Sequence, residues 1–439
     1  MKKPAFVTIF LIVLISQSFA QNKMRIITYW DLNESIPKES YEILDRDSSL
    51  VDGDYVKFNL YGDTIVTGTF KKGNKEGLFT NYFDNGQIQR TTIYKDDLRQ
   101  GPTKVYADNG KVLQEVNFVN DTIEGKLDLY YPNGNIKSST SFLNGKPNGK
   151  VTYYYESGKI KEEIFYADGK PNGQSKKYYE DGILNSETEY SNGLLDGKFV
   201  SYYKNGQVEL SAINIRGKKS GSFSSFYENG QLKSSGVYSK GYLTGPVLSY
   251  FEDGSLQSKY DYFKGYKTGI GEVYFPGQKI KNRTEYSNKG TDEISETFNE
   301  EGIIILKSFK TDDLNSNTWV YSDENGREIL TETYEEGKLH GMRRHFEKGN
   351  LIKEESYAFG KKEGVEKGYF SNGKLQYEQT FEKDKKHGIY SSYFKNGKKE
   401  STGKYIRDGK HGQWKYFDKK GNLLKTEKYQ YGKLISDSE

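Results

Sequence analysis

Apolar, glycine and aromatic positions along this chain recur every 24 residues, and nothing in them follows helical spacing. Glycines stand at Gly53, Gly77, Gly101, Gly125, Gly149, Gly173, Gly197, Gly221, Gly245 and Gly269, each 24 apart. Two further steps land on Glu293 and Asn317, and the register returns at Gly341. One residue is then lost, after which Gly364, Gly388 and Gly412 follow at 24 again. Counted from this first glycine, the fifth residue is aromatic in fifteen of sixteen units, from Phe58, Tyr82 and Tyr106 to Phe417, with Ser322 the exception. A second aromatic column lies twelve residues later, in Phe70, Tyr94, Phe118, Phe142, Tyr166, Tyr190, Tyr238, Tyr262 and Tyr286. An aliphatic column runs Ile88, Val112, Ile136, Ile160, Leu184, Val208, Leu232, Leu256 and Ile280. Short aromatic and β-branched stretches between turn residues predict strands.

The punctuation predicts how those strands connect. Nine residues after the first glycine comes Asn-Gly or a close relative, as in Asn85-Gly86, Asn133-Gly134, Asp181-Gly182 and Asn396-Gly397. Asn-Gly tolerates positive φ at both central positions and so predicts a tight hairpin turn. Eleven residues further on a second glycine (Gly145, Gly169, Gly193) predicts a looser turn. The expected fold is all-β: an elongated single-layer antiparallel β-meander built from tandem β-hairpin repeats. Two strands per unit advance the sheet by roughly 9.6 Å, so sixteen units predict a rod on the order of 150 Å in which each hairpin touches only its neighbours. Equivalent rings would stack in a ladder, with the second aromatic column filling the gaps of the first.

The unit Gly149-Lys-Val-Thr-Tyr-Tyr-Tyr-Glu-Ser-Gly-Lys-Ile, with Tyr166-Ala-Asp-Gly-Lys-Pro-Asn-Gly after it, resembles the MORN repeat in its bacterial variant form. The shared pattern is Tyr-x-x-Gly-Lys-x-x-Gly followed by an aromatic pair and Asn-Gly, and it covers 53–436. The resemblance implies a scaffold or binding surface and leaves the partner open.

Boundaries follow from where the period begins, weakens and resumes. Met1-Lys2-Lys3, the apolar run from Phe6 to Ile15, and Ser18-Phe19-Ala20 before Gln21 read as an export signal over 1–20. The alternative is an uncleaved anchor, although the apolar run is shorter than the ~20 residues a spanning helix needs. The 21–52 segment reads as an irregular N-terminal cap, 53–292 as regular repeats, 293–340 as degenerate repeats, and 341–439 as C-terminal repeats. In the degenerate stretch Asp292, Glu293, Glu296, Glu300 and Glu301 form an acidic patch, either drift in a tolerant repeat or a junction.

Composition sharpens this. Only 34% of the 439 residues are apolar, yet there are 38 tyrosines, 24 phenylalanines and 47 glycines, which excludes disorder and suggests a thin sheet without a deep core. The formal charge is +4, and without the export segment 63 basic residues face 61 acidic ones. Well-mixed charge gives no basic stripe, so neither nucleic acid nor an anionic membrane is an expected partner. No integral membrane segment is expected in the mature chain. The absence of cysteine removes disulfides, thiolate metal sites and cysteine nucleophiles.

Catalytic chemistry finds no foothold in the pattern. His340, His387 and His411 each precede a first glycine, so they belong to the lattice rather than converging on a metal. Glu162-Glu163 and Asp312-Asp313 are adjacent in strands or turns, where neighbouring side chains diverge. No catalytic residue, cofactor or metal site is expected, and the chain is read as a non-enzyme. The aromatic pairs are the best binding candidates, because flat, amphipathic rings suit extended peptides or sugars. The candidate face comprises Tyr130, Tyr131, Tyr154, Tyr155, Tyr178, Tyr179, Tyr202, Tyr203, Phe226, Tyr227 and Tyr250. The resulting expectation is an exported, non-catalytic scaffold for protein–protein interaction, periplasmic, at the cell surface or secreted. The alternative is a polysaccharide-binding module using the tyrosine-lined face.

Overall fold

The computed structural model describes Leu11–Ile12, 23–44 and 47–438. The export signal read over 1–20 therefore lies outside the described residues, apart from Leu11 and Ile12, which pair with Ile27 and Ile26. Contacts divide the chain into two units, Met1–Lys218 and Lys219–Glu439. Within each, antiparallel strands pair with their sequence neighbours in a meander. Among the described residues the one helical element is the 3-10 turn Asn288–Gly290.

In the first unit the strands Lys146–Tyr154, Ile160–Ala167 and Lys170–Tyr178 show the repeat at its most regular. Gly149 lies opposite Tyr166, Val151 opposite Ile164 and Tyr153 opposite Glu162. Opposed residues share a face and successive residues alternate. Tyr166 of the second aromatic column therefore sits with Val151 and Tyr153, while Tyr154 of the first column points to the other side. The two columns do not interleave in one ladder as the spacing suggested. They lie on opposite faces, because this register pairs even-numbered with odd-numbered positions of the repeat.

The face bearing the second aromatic column holds what core there is. In the first unit the ring contacts run Tyr55–Phe70–Phe79–Tyr94 at 5.2–5.5 Å, edge to face, and Phe79, Val116, Phe118, Val151 and Ile164 are buried there. In the second unit Trp414 packs on Tyr390, Tyr405 and Tyr429. Large rings are accommodated by glycines on neighbouring strands. A methyl group on Gly68 would enter the Phe79 ring, one on Gly403 the Trp414 indole, and one on Gly236 would lie 2.8 Å from Phe223. With a single sheet there is no second layer to bury a ring, so it lies flat across the neighbouring backbone instead, which is possible only where that backbone carries no Cβ.

The turns exchange the roles expected of them. At the Asn-Gly turns only the glycine has positive φ (Gly86 78°, Gly134 98°). These are four-residue turns closed by bonds such as Gly158 N–H to Tyr155 O, 2.9 Å. The asparagine serves through its side chain: Asn133 Oδ1 accepts the Asn135 N–H at 2.8 Å. The connection read as looser is the two-residue hairpin turn, positive at both positions, as in Asn144 (51°) and Gly145 (76°). There Leu143 pairs directly with Lys146. The first glycine of each unit is a bulge within the strand. Pairing shifts by two residues between Ile164 and Tyr166 opposite Gly173, whose φ is 106°.

The degenerate stretch keeps its period by moving residues. Glu293 replaces a first glycine and cannot support the bulge, and Asn282–Ser287 pairs with Asp292–Thr297 without a shift. The two residues that the bulge would hold lie instead in the enlarged Asn288–Thr291 connection. Where one residue is lost, the four-residue turn becomes the two-residue turn Lys348–Gly349 (φ 50° and 81°). At the N-terminal end Lys23–Tyr29 pairs with Pro37–Leu44, which pairs with Asp47–Phe58.

Candidate binding surfaces

Neighbouring repeats are fastened along both turn edges. At the two-residue turns both N–H groups find partners in the preceding repeat. Asn144 N–H donates to Glu124 Oε2 at 2.8 Å and Gly145 N–H to Ile123 O at 3.0 Å. His340 takes the same place in the second unit: its Nδ1 accepts the Phe359 N–H at 3.4 Å, with the rings 4.5 Å apart. His411 likewise sits 4.9 Å from the Tyr431 ring at the head of the next such turn. His340 thus caps its turn as glutamate or asparagine does elsewhere. The His411 Nδ1, by contrast, is buried without a hydrogen-bond partner among the described residues, and His387 meets Glu382 at 3.4 Å. Asp312 and Asp313 (φ 51° and 63°) are themselves the two residues of such a turn. At the other edge, Asn133 Nδ2 donates to Glu156 O at 2.9 Å, reaching from one Asn-Gly turn to the next.

The tyrosine pairs complete this lattice. All eleven candidate rings are half-buried. The second ring of each pair opens the four-residue turn, and four of them send the hydroxyl to the backbone of the next repeat. Tyr131 Oη donates to Tyr154 O (2.9 Å), Tyr155 to Tyr178 O (2.8 Å), and Tyr179 to Tyr202 O (2.9 Å). Tyr227 makes the same bond to Tyr250 O at 2.8 Å in the second unit. Lysines lie over these rings: Lys137 over Tyr131, Lys161 over Tyr155 and Lys233 over Tyr227. At the N-terminal end Trp30 Nε1 donates to Phe58 O at 3.3 Å, an indole doing the work of the tyrosine hydroxyl.

The first rings of the pairs lie on the sheet face opposite the buried column and reach back to the previous hairpin. Tyr202 Oη donates to Glu187 Oε1 at 2.8 Å. Burial and that carboxylate raise its phenol above the ordinary value, and burial with Glu163 does the same for Tyr178. Tyr130 is raised by burial and then by Asp128. The equivalent Tyr369, on Glu354 at 2.7 Å, is pushed up to about 12. Within the first unit Tyr131, Tyr155, Tyr179 and Tyr202 are thus tied to the backbone and to a carboxylate rather than set out as an open row of rings, and within the second unit Tyr227 is tied in the same way.

Among the more exposed apolar side chains are those flanking the two-residue turns. In the second unit Tyr242, Phe263 and Tyr266 are 60%, 62% and 51% exposed. Phe263 and Tyr266 face each other across their turn. With Lys264, Lys267 and the enlarged Ser287–Lys289 connection they border a cavity of about 250 Å³. In the first unit Leu143, Leu194 and Ile215 are exposed at the same edge. Sequence reasoning passed over this edge because its residues share no type from repeat to repeat. A signal was present: these hairpin-tip positions hold large apolar side chains where a turn ordinarily exposes polar ones.

The acidic patch is internally paired: Glu293 meets Lys310 at 3.1 Å, and Glu296 meets Lys307 at 3.5 Å. A second charged feature was not visible in the sequence. On the buried-ring face of the second unit, Glu355, 5% exposed, meets Lys362 (2.6 Å), Lys353 (2.9 Å) and His345 Nε2 (3.0 Å). Glu366 binds Lys362 at 2.5 Å and accepts from Tyr377 Oη at 2.9 Å. Burial alone would raise the Glu355 carboxyl, but its bonds to Lys362, Lys353 and His345 outweigh that and hold it at about 2. These groups replace the aromatic packing found elsewhere on this face. Among the described residues no helix is long and apolar enough to cross a membrane.

No curated protein matches the chain. Solved structures that align with it include the TcdB2–TccC3–Cdc42 complex, at 12% identity and a TM-score of 0.13, covering 92% of this chain and 29% of that one. Another is the Tc holotoxin pore of Photorhabdus luminescens, at 12% identity and a TM-score of 0.14, covering 92% and 28%. The chain thus spans under a third of the length of these structures. The MORN repeat variant model matches ten times, at 75–96, 99–120, 123–144, 147–168, 171–192, 195–212, 219–240, 243–264, 362–383 and 386–407. The longest unmatched interval between matches, 265–361, contains the bulge-free pairing at Glu293 and the shortened turn at Lys348–Gly349. With each matched segment corresponding to one structural hairpin unit, the chain belongs to the MORN repeat variant family.

Proposed function

We propose that this chain is an exported, non-catalytic repeat scaffold that mediates protein–protein interaction at the cell envelope or outside the cell. The observation that carries the reading is the division of labour between turn edges and exposed tips. Ring hydroxyls, turn amides and asparagine side chains are committed to holding repeat on repeat, while the tips of the two-residue turns vary freely and expose Tyr242, Phe263 and Tyr266. Exposed aromatic side chains on a rigid frame are the usual anchors of protein interfaces. The basic residues around them, Lys240, Lys264, Lys267 and Lys289, favour a partner with acidic character.

The test is a pull-down from envelope extract and secreted material with 21–439 immobilised. A stoichiometric protein should be captured, released by salt, and lost in a Tyr242→Ser/Phe263→Ser/Tyr266→Ser variant that keeps its thermal stability. Capture that survives this variant but is lost with Tyr155→Phe/Tyr179→Phe would place the interface on the tyrosine pairs and overturn the assignment to the tips.

A further inference from the structure

We infer that the second unit carries an oligosaccharide-binding site between the hairpins Gly364–Glu382 and Lys385–Ile406. A cavity of about 510 Å³ opens there at the Asn-Gly edge, within the size range of small-molecule sites. Its walls include the rings of Phe370, Tyr377, Tyr390 and Phe394, and its rim carries Gln376, Glu400, Lys395 and Lys419. Ser392, buried and bonded to Ser401 Oγ at 2.9 Å, leaves the space between the rings that a larger side chain would fill.

The same place differs chemically in other repeats. At Tyr131, Tyr155 and Tyr227 the hydroxyl anchors the ring to the next repeat and a lysine six residues on lies over it, as Lys161 lies 5.6 Å from the Tyr155 ring. Tyr179 and Tyr203 instead have Asn185 and Glu209 at that place, and Lys204 lies over Tyr179. At this site the tyrosines are Phe370 and Phe394, which have no hydroxyl to tie. The covering lysines are Gln376 and Glu400, and among the described residues no cation lies over either phenylalanine. Phe83 and Phe251 also lack a covering lysine. Their neighbours, however, are Ala107 and the lysine-covered Phe275, so among the described residues Phe370 and Phe394 are successive phenylalanines at this place with neither a hydroxyl nor a covering lysine.

An oligosaccharide fits this combination. Sugar rings present flat C–H faces to aromatic side chains and hydroxyl pairs to amides and carboxylates, and among the described residues neither the Gln376 nor the Glu400 side chain is engaged by a protein partner. Successive repeats place Phe370 and Phe394 roughly 9.6 Å apart, a spacing that suits alternate residues of an extended sugar chain. On the tyrosine pairs, by contrast, the hydroxyls of Tyr131, Tyr155, Tyr179, Tyr202 and Tyr227 are spent on the lattice. The site is independent of the protein-scaffold reading, since it lies on different repeats and a different edge from Tyr242, Phe263 and Tyr266.

The test is calorimetric titration of the full chain with cellohexaose, chitohexaose, laminarihexaose, maltohexaose and oligogalacturonate. At least one should give saturable heat. The double variant Gln376→Lys/Glu400→Lys restores the lysines that other repeats carry, so it should fold normally and weaken that binding about tenfold or more. Phe394→Ser should weaken it similarly. Absence of binding by every probe, or binding unchanged in the double lysine variant, overturns the proposal. Loss of binding only in variants whose thermal unfolding has shifted also counts against it. Capture of the protein partner should be unaffected by the double lysine variant.

Discussion

Gly403→Ala puts the ring-on-glycine packing to a quantitative test. Gly403 has an ordinary extended backbone, so alanine there would normally stabilise the chain by about 0.4–1 kcal/mol through reduced freedom of the unfolded state. The structure reverses that sign. The added methyl would enter the Trp414 indole, which is 2% exposed and cannot retreat. Tyr390 stacks on it at 5.6 Å, Tyr405 meets it edge-on at 5.0 Å, and its N–H donates to Lys404 O at 3.2 Å. Overpacking a close-packed site costs about 1–3 kcal/mol, and a trapped ring puts the cost at the upper end. The expected net loss is about 2 kcal/mol, combining the steric cost with the chain-entropy gain. Hydrogen exchange of the amides in Lys399–Ile406 and Gly409–Phe417 reads this loss locally. Gly412→Ala is the control: its methyl meets open space, but φ is +74°, so its cost of about 1–2 kcal/mol comes from backbone strain. In a Trp414→Leu background the Gly403→Ala cost should largely vanish, while that of Gly412→Ala should persist. Protection that is unchanged or increased in Gly403→Ala, or an equal cost in both backgrounds, would refute the packing argument.

Three further outcomes are expected. Asn133→Asp keeps the oxygen that caps its own turn but loses the amide that donates to Glu156 O, so it should cost about 0.5–1.5 kcal/mol in local opening, with a smaller effect from Asp181→Asn, measured by exchange at the two turns. Gly125→Asn should be milder than Gly125→Ala in a thermal melt, because φ is +80° there and Asn317 already holds the equivalent place at 54°. Glu355, held at about 2 against an unfolded value near 4.3, adds stability that is fully present above that unfolded value and is lost as pH falls towards 2. Its neighbours Arg343, His345, Lys353, Lys362 and Glu366 should therefore become exchange-labile between about pH 4.5 and 2, and Glu355→Gln should flatten that acid transition.

Sequence and structure divide this protein along a clear line. The period, the strand positions, the all-β meander and the family were legible because a repeated unit prints the same local constraints many times, and a column of glycines or aromatics survives the drift of any one member. Turn locations were equally plain, while turn types were not. Asparagine before glycine satisfies either a positive-φ turn or a side-chain cap, and only the pairing of Tyr154 with Ile160 and of Leu143 with Lys146 tells which turn uses which. The face of each ring was hidden for a related reason: one residue of register reverses every side chain in a strand. Tertiary structure also decided the fate of the tyrosines, whose hydroxyls end on carbonyls 23 residues onward. It alone shows Glu355 meeting Lys362 and His345, and the opening left between Phe370 and Phe394. Local sequence sets what a residue can offer, but a hydrogen bond or a cavity depends on what the next repeat places against it.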